Sequence, residues 1–107
     1  MISYFVKDHN IEIYVGENAN DNWDILDKAN QNYIWMHLNN FSSPYIIINI
    51  SNPNKSILNY GASLCKLHSK YSKLNKIKVI YTEVKNVKKG NKLGSAIIKG
   101  KTKEIVI

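Results

Sequence analysis

The 107-residue sequence contains no arginine; all fifteen of its basic residues are lysines. Lysine is a point charge on a flexible stem. It lacks the planar fork that grips a phosphate or a guanine edge through two bonds. Recognition built on arginine forks is therefore excluded. Any polyanion contact made by this chain is expected to be salt-sensitive and weakly sequence-specific through charge alone. Cysteine is almost missing too. Cys65 stands alone, so no internal disulfide forms, and a reducing, cytoplasmic compartment is expected. No apolar run approaches the roughly 20 residues that cross a bilayer. The start, MISYFVKDHNIEIYV, has no basic segment followed by a long apolar core, so neither a signal peptide nor a membrane partner is expected. No linker, repeat or low-complexity tract divides the chain. A single domain over residues 1–107 is expected, long enough to bury one core without staples.

Acidic residues are scarce in one half only. Residues 1–54 carry Lys7 and Lys28 against six carboxylates, a net charge of −4; residues 55–107 carry thirteen lysines against Glu83 and Glu104, a net +11. Lysine, asparagine, isoleucine and tyrosine are all abundant, as AT-rich coding produces, so part of the lysine excess reflects mutational bias. The asymmetry still points to a polyanionic partner for the second half.

Periodicity predicts an α+β fold: a mixed sheet of about six strands with one long helix packed on it. ISYFV (2–6) and IEIYV (11–15), rich in β-branched and aromatic residues and separated by a polar turn, read as a hairpin. Residues 20–29 read as a short helix, with Asn18 or Asn20 as N-cap and the acids early. YIWMHL (33–38) and YIIINI (45–50) read as strands, the second buried on both faces. The strongest helix signal covers 56–72, with Ser56 as cap and a stripe through Ile57, Gly61, Leu64, Leu67 or His68, and Tyr71. KIKVIYTEV (76–84) alternates as a strand. Residues 85–94 read as a basic, glycine-punctuated loop, and 95–100 with 103–107 as a closing hairpin.

Alternation along 33–38 puts Ile34, Met36 and Leu38 on one face and Tyr33, Trp35 and His37 on the other. The aliphatic set suits a core beneath the long helix. For the aromatic set two readings stand. Either a second element covers it and Trp35 is a core residue, or it forms a platform on which unpaired bases stack. A histidine acting as general base needs an orienting partner and a nucleophile. Ser42 and Ser43 are near His37 in sequence, and Asp21 and Asp24 are candidate carboxylates. No G-x-S-x-G elbow is present, and a hydrogen-bonded structural or ligand-binding histidine is the expectation. Cys65 and His68 have C-x-x-H spacing, but no second pair completes a metal site. KKGNKLGS (88–95) is not a Walker A loop, which needs its lysine after the second glycine and a strand-to-helix setting. Its lysines are better suited to a phosphate backbone. No catalytic residue, metal or cofactor is expected.

Several blocks occur in a particular order: Gly16 with Asn22, IWMH (34–37), NNFSSPYIII (39–48), then Ala62, Leu64, Lys66 and Ser69 on the long helix. KVIYTEVKNVKKG (78–90) and KLGSAII (92–98) follow. In this the chain resembles the NFACT-R domain, the RNA-binding domain of the NFACT proteins of ribosome quality control, over about residues 2–106. The ending at Ile107 suggests the standalone form. The resemblance implies an RNA-binding module for tRNA, rRNA or the ribosome, with DNA an open alternative. It implies that Trp35, His37 and Tyr33 or Tyr45 contact bases or sugars. Lys85, Lys88, Lys89 and Lys92 would contact phosphates, Lys66, Lys70 and Lys73 would form a flanking patch, and Asn22, Ser42 and Ser43 would donate or accept hydrogen bonds. The family commonly has Asp where Tyr33 stands, His where Tyr45 stands, and a basic residue where Glu17 stands. Those departures remove the groups an acid–base centre needs. An RNA-processing enzyme centred on His37, or a protein adaptor of the translation machinery, are the alternative readings.

Overall fold

The computed structural model describes residues 1–107. Strands β1 (Ile2–Val6) and β2 (Ile11–Val15) form the expected hairpin. Helix α1 (Ala19–Lys28) follows, capped by the Asn18 side chain, which accepts from the Asp21 N–H. Strands β3 (Ile34–Leu38) and β4 (Ile46–Ile48) come next, then α2 (Lys55–Leu67) and β5 (Lys78–Glu83). The short strands β6 (Val87–Lys89), β7 (Ala96–Ile98) and β8 (Lys103–Val106) complete the chain.

The fold is α+β, with a six-stranded sheet of order β1-β2-β4-β3-β5-β8 and a separate two-stranded sheet, β6-β7. Every pairing is antiparallel, where a mixed sheet was expected. The reason lies in two skipped positions. Helix α1 connects β2 to β3 with β4 lying between them, and α2 connects β4 to β5 with β3 lying between them. Each helix crosses between strands that run the same way but never pair. Strands β3 and β4 are thereby central, and β4 is buried on both faces, as its III run predicts.

The closing hairpin is a second correction. Strand β7 pairs with β6 (Val87 opposite Ile98), whereas β8 pairs with β5 (Lys78 opposite Val106). Residues 87–89, expected in a loop, are therefore a strand. Helix α2 also begins and ends earlier than its periodicity suggests. Asn54, not Ser56, caps it by accepting from the Ile57 N–H at 2.9 Å. It ends at Leu67 because Ser69 takes over the last turn: its hydroxyl donates to the Lys66 carbonyl at 2.7 Å and accepts from the Tyr71 N–H at 3.1 Å. Leu67 is consequently 61% exposed.

The core has two layers. On one face of the sheet, Ile13, Met36, Leu38, Ile46, Ile48 and Val79 pack against Ile57, Ala62, Leu64 and Cys65 of α2. On the other, Trp35, Tyr45 and Ile47 pack against Ile25 and Leu26 of α1 and against Val84 and Val87. Gly61 is where α2 lies closest to the sheet: a Cβ there would come within 2.8 Å of Ile48 Cδ1 and 3.1 Å of Met36 Sδ. Gly61→Val should overpack this contact and cost about 1–3 kcal/mol in urea unfolding. The same change at exposed Asn59 should stay within about 0.5 kcal/mol.

Candidate nucleic-acid interface

The aromatic face of β3 is covered. Trp35 is 1% exposed and Tyr45 0%. The two rings meet edge to face at 5.4 Å, and His37 lies parallel to Trp35 at 5.8 Å, with 2° between the ring planes. Tyr45 contacts both edge-on, so the three rings form one cluster. Of the two readings left open for this face, the covered one therefore holds for Trp35, and Tyr45 is enclosed with it. Alternation correctly put Trp35 opposite Met36, but alternation along one strand carries no information about what covers a face. Here α1 and the β6-β7 sheet do so. Tyr33 is not part of the cluster. It lies four residues from His37, about 13 Å along the strand, in a separate cleft with Tyr14, Asp24 and Lys28.

A relay of hydrogen bonds sets the cluster in place. Asn22 of α1 accepts from the Tyr45 N–H at 2.9 Å through Oδ1. Gly16 N–H donates to the Tyr45 carbonyl at 3.0 Å. A Cβ on Gly16 would lie 1.9 Å from Asn22 Oδ1, so the glycine makes room for the amide. The Tyr45 hydroxyl then donates to the Gly94 carbonyl at 2.7 Å, and Trp23 Nε1–H of α1 donates to the Ser95 carbonyl at 3.0 Å. These two bonds hold the 90–95 turn against the domain. Gly94 has φ +82° and sits so close to Ala19 that a side chain would strike it. The Asn22, Tyr45 and Gly94 roles are thus structural, and Trp23 and Gly94 were missed by sequence reasoning: Tyr45 and Gly94 are 49 residues apart, and no spacing signals that contact.

Two clefts open beside His37 and share His37, Ser42, Leu93 and Gly94. The first, about 460 Å³, lies between the start of α1, Ser43 and the turn after α2 that carries His68, Ser69 and Lys70. The second, about 440 Å³, is lined by Trp35, Asn39, Asn40, Phe41, Ile80 and Lys92. His37 Nδ1 lies 2.7 Å from the Leu38 carbonyl. A carbonyl only accepts, so Nδ1 carries a proton and Nε2, without a protein partner, is an acceptor in the neutral ring. Burial holds the His37 pKa below its ordinary value, opposed only by that bond to Leu38. Trp35 Nε1–H is buried with no hydrogen-bond partner, an arrangement that costs about 1–3 kcal/mol if left unmet. Ser43 Oγ accepts from the Leu38 N–H at 3.0 Å and donates to the Pro44 carbonyl at 3.1 Å, leaving exposed Ser42 as the free hydroxyl.

The lysines are dispersed. Lys70 lines the first cleft and Lys92 the second. Lys66 lies in the last turn of α2, and Lys73 is exposed beyond it. Lys89 pairs with Asp27 at 2.9 Å and lies over the Trp23 ring at 5.4 Å. Lys85 pairs with Glu83 at 3.6 Å. Lys88 points away, opposite exposed Ile97 on β7. Of the expected group Lys85, Lys88, Lys89 and Lys92, three sit on the 3-10 turn and strand of 84–89 rather than on a loop. His68 shares a 2.7 Å hydrogen bond with Tyr4. Burial pushes the Cys65 thiol up to about 12, and its sulfur faces the Pro44 carbonyl at 3.7 Å. No three His, Cys, Asp or Glu side chains gather where a metal ion could sit. No helix is long and apolar enough to cross a membrane.

The family model for the NFACT protein RNA binding domain matches residues 1–103. The chain belongs to the NFACT RNA-binding domain family. A solved structure, the C-terminal part of the fibronectin/fibrinogen-binding protein from Streptococcus suis, superposes with a TM-score of 0.89 at 25% identity over 98% of this chain. The chain spans 43% of that one. No curated protein matches. Within this NFACT RNA-binding domain, His37, Ser42, Ser43 and Asn22 converge on the clefts together with Lys70 and Lys92, while Trp35 and Tyr45 support them from beneath.

Removing the Asn22 amide leaves the buried Tyr45 N–H unmet, so Asn22→Ala should lose about 1–3 kcal/mol. Gly16→Ala should cost less in the Asn22→Ala background than in the native protein, because its clash is with the Asn22 side chain; a double-mutant cycle by urea unfolding checks this. His37 supplies a pH dependence. Its folded pKa lies below the ordinary 6.5, so between the two values the unfolded chain binds the extra proton. Stability should be full above about pH 6.5 and fall as the pH drops through that window. Native and His37→Phe proteins, unfolded in urea at pH 7.5 and pH 5, should differ in this slope, the variant being flatter.

Proposed function

We propose that this domain binds tRNA, rRNA or ribosome-associated RNA at the paired clefts around His37. The observation that carries the reading is that two clefts meeting at His37, Ser42 and the 93–94 backbone each have a lysine on the wall, Lys70 in one and Lys92 in the other. Phosphates would meet these lysines, with Lys66 and Lys73 flanking Lys70. Ser42, Asn39 and Asn40 would hydrogen-bond sugars and bases. Lys85, Lys88 and Lys89 would act at longer range, as part of the positive field of residues 55–107. His37 would bind rather than catalyse: its Nδ1 is held by a main-chain carbonyl, and no carboxylate orients it.

Lysine contacts release counterions, so log affinity for tRNA should fall linearly with log salt. Lys70→Ala with Lys92→Ala should weaken binding about tenfold at 100 mM salt and flatten the slope by about two. Filter binding or fluorescence anisotropy across a salt series measures both. A double variant with native affinity and slope would remove the clefts from the reading. Equal binding of duplex DNA of the same length would move it from RNA to nucleic acid in general.

A further inference from the structure

Strand β1 forms one edge of the six-stranded sheet and pairs only with β2. The ladder shows which of its main-chain groups are used. Asn49 N–H donates to the Glu12 carbonyl, and Gly16 N–H to the Tyr45 carbonyl, so even positions along 12–16 turn their main-chain groups toward β4. The odd positions, Ile11, Ile13 and Val15, turn theirs toward Val6, Tyr4 and Ile2. The N–H and C=O groups of Ser3 and Phe5 therefore point outward, and no other main-chain group meets them.

Folded proteins guard such an edge with charge, proline, a bulge or brevity, because it templates another strand. Strand β8, at the opposite edge, carries Lys103 and Glu104, and β6 and β7 have three residues each. Strand β1, ISYFV, has none of these guards. It runs five residues without a charge or a proline, and its register with β2 is unbroken. Ile2, Tyr4 and Val6 pack onto the core beneath α2, while Phe5 on the other face is 58% exposed.

The strand is complementary to itself. When two copies meet antiparallel with Tyr4 opposite Tyr4, Ser3 of each lies opposite Phe5 of the other, and every outward N–H finds an outward C=O. Sliding by two residues either way puts Ser3 opposite Ser3 or Phe5 opposite Phe5, and the remaining residue then passes the end of the strand. The charges select the same register. It brings Lys7, the first residue after β1, opposite Met1 of the second copy. There Glu17 and Asp21 share one ammonium, the Met1 amino group, at 2.7 and 2.8 Å, which leaves one negative charge over. Lys7 has no ion pair in its own chain. A two-fold axis uses this match twice.

We propose that two copies of this chain associate through β1, antiparallel about a two-fold axis at Tyr4, joining their sheets edge to edge. The contact is independent of the RNA-binding reading. A five-residue edge falls short of the roughly 1,200 Å² of a stable interface, so a dissociation constant on the order of tens of micromolar is expected.

Sedimentation of the full chain from about 1 μM to about 1 mM, with amide exchange followed by NMR over the same range, tests it. The mass should rise from one copy to two. The Ser3 and Phe5 amides should exchange more slowly with concentration while the other β1 amides stay unchanged. Phe5→Pro removes an outward donor that the β1-β2 ladder does not use, so it should keep the native urea midpoint and remain single. Phe5→Lys leaves the main chain intact and puts a charge on the edge, and should weaken association about tenfold. Lys7→Glu should also weaken it, and Glu17→Lys in the same chain should restore it. A chain that stays single throughout overturns the proposal and leaves the edge to a strand of another protein. A pair that both Phe5 variants leave intact, or that slows amides other than those of Ser3 and Phe5, overturns it too, as does growth beyond two copies.

Discussion

The Tyr45 N–H bond to Asn22 Oδ1 connects the second helical layer to the sheet, and the rest of the site hangs from it. It joins α1 to the entry of β4. It requires the absence of a side chain at Gly16. It fixes Tyr45, whose hydroxyl then anchors the Gly94 carbonyl. Without that anchor, the 90–95 turn would have only the Trp23–Ser95 bond to hold it against α1. Both clefts use this turn as a wall. A single buried amide thus links the local conformation of two glycines to the shape of the interface.

The same arrangement separates support from contact. Trp35 and Tyr45 are enclosed, and burial pushes the Tyr45 hydroxyl up to about 12, so it stays a neutral donor. His37, at the end of the ring cluster, faces the clefts with one nitrogen committed and one free. The lysines that could meet RNA are those on the cleft walls, because the lysines nearest in sequence to the basic turn are partly engaged with Asp27 and Glu83. Exposed pairs of that kind contribute little to stability, about 0–1 kcal/mol.

Much of the architecture was legible in the sequence where it depends on local pattern. The hairpin 2–6 with 11–15, the short helix after Asn18 and the two-sided burial of residues 46–48 follow from side-chain type and period. What was not legible depends on distant partners. Strand β6 looked like a loop because three lysines and an asparagine surround Val87, whose partner Ile98 is eleven residues further on. The sheet is antiparallel throughout because β3 and β4 insert between the strands that the helices connect, which no local window records. Trp35 and His37 were flagged by alternation and by family resemblance. Which of the two reaches the clefts by its side chain's free nitrogen depends on what α1 and the 90–95 turn cover, and both contacts are long-range.

The central claim is that RNA meets the domain at the clefts around His37. Backbone amide shifts in labelled protein, followed on addition of tRNA, test it most directly. The account predicts that the largest changes fall at Ser42, at Lys70 and across Lys92–Gly94. Changes concentrated instead at Lys88 and Ile97, on the outer side of the β6-β7 sheet, with the cleft residues unmoved, would contradict it.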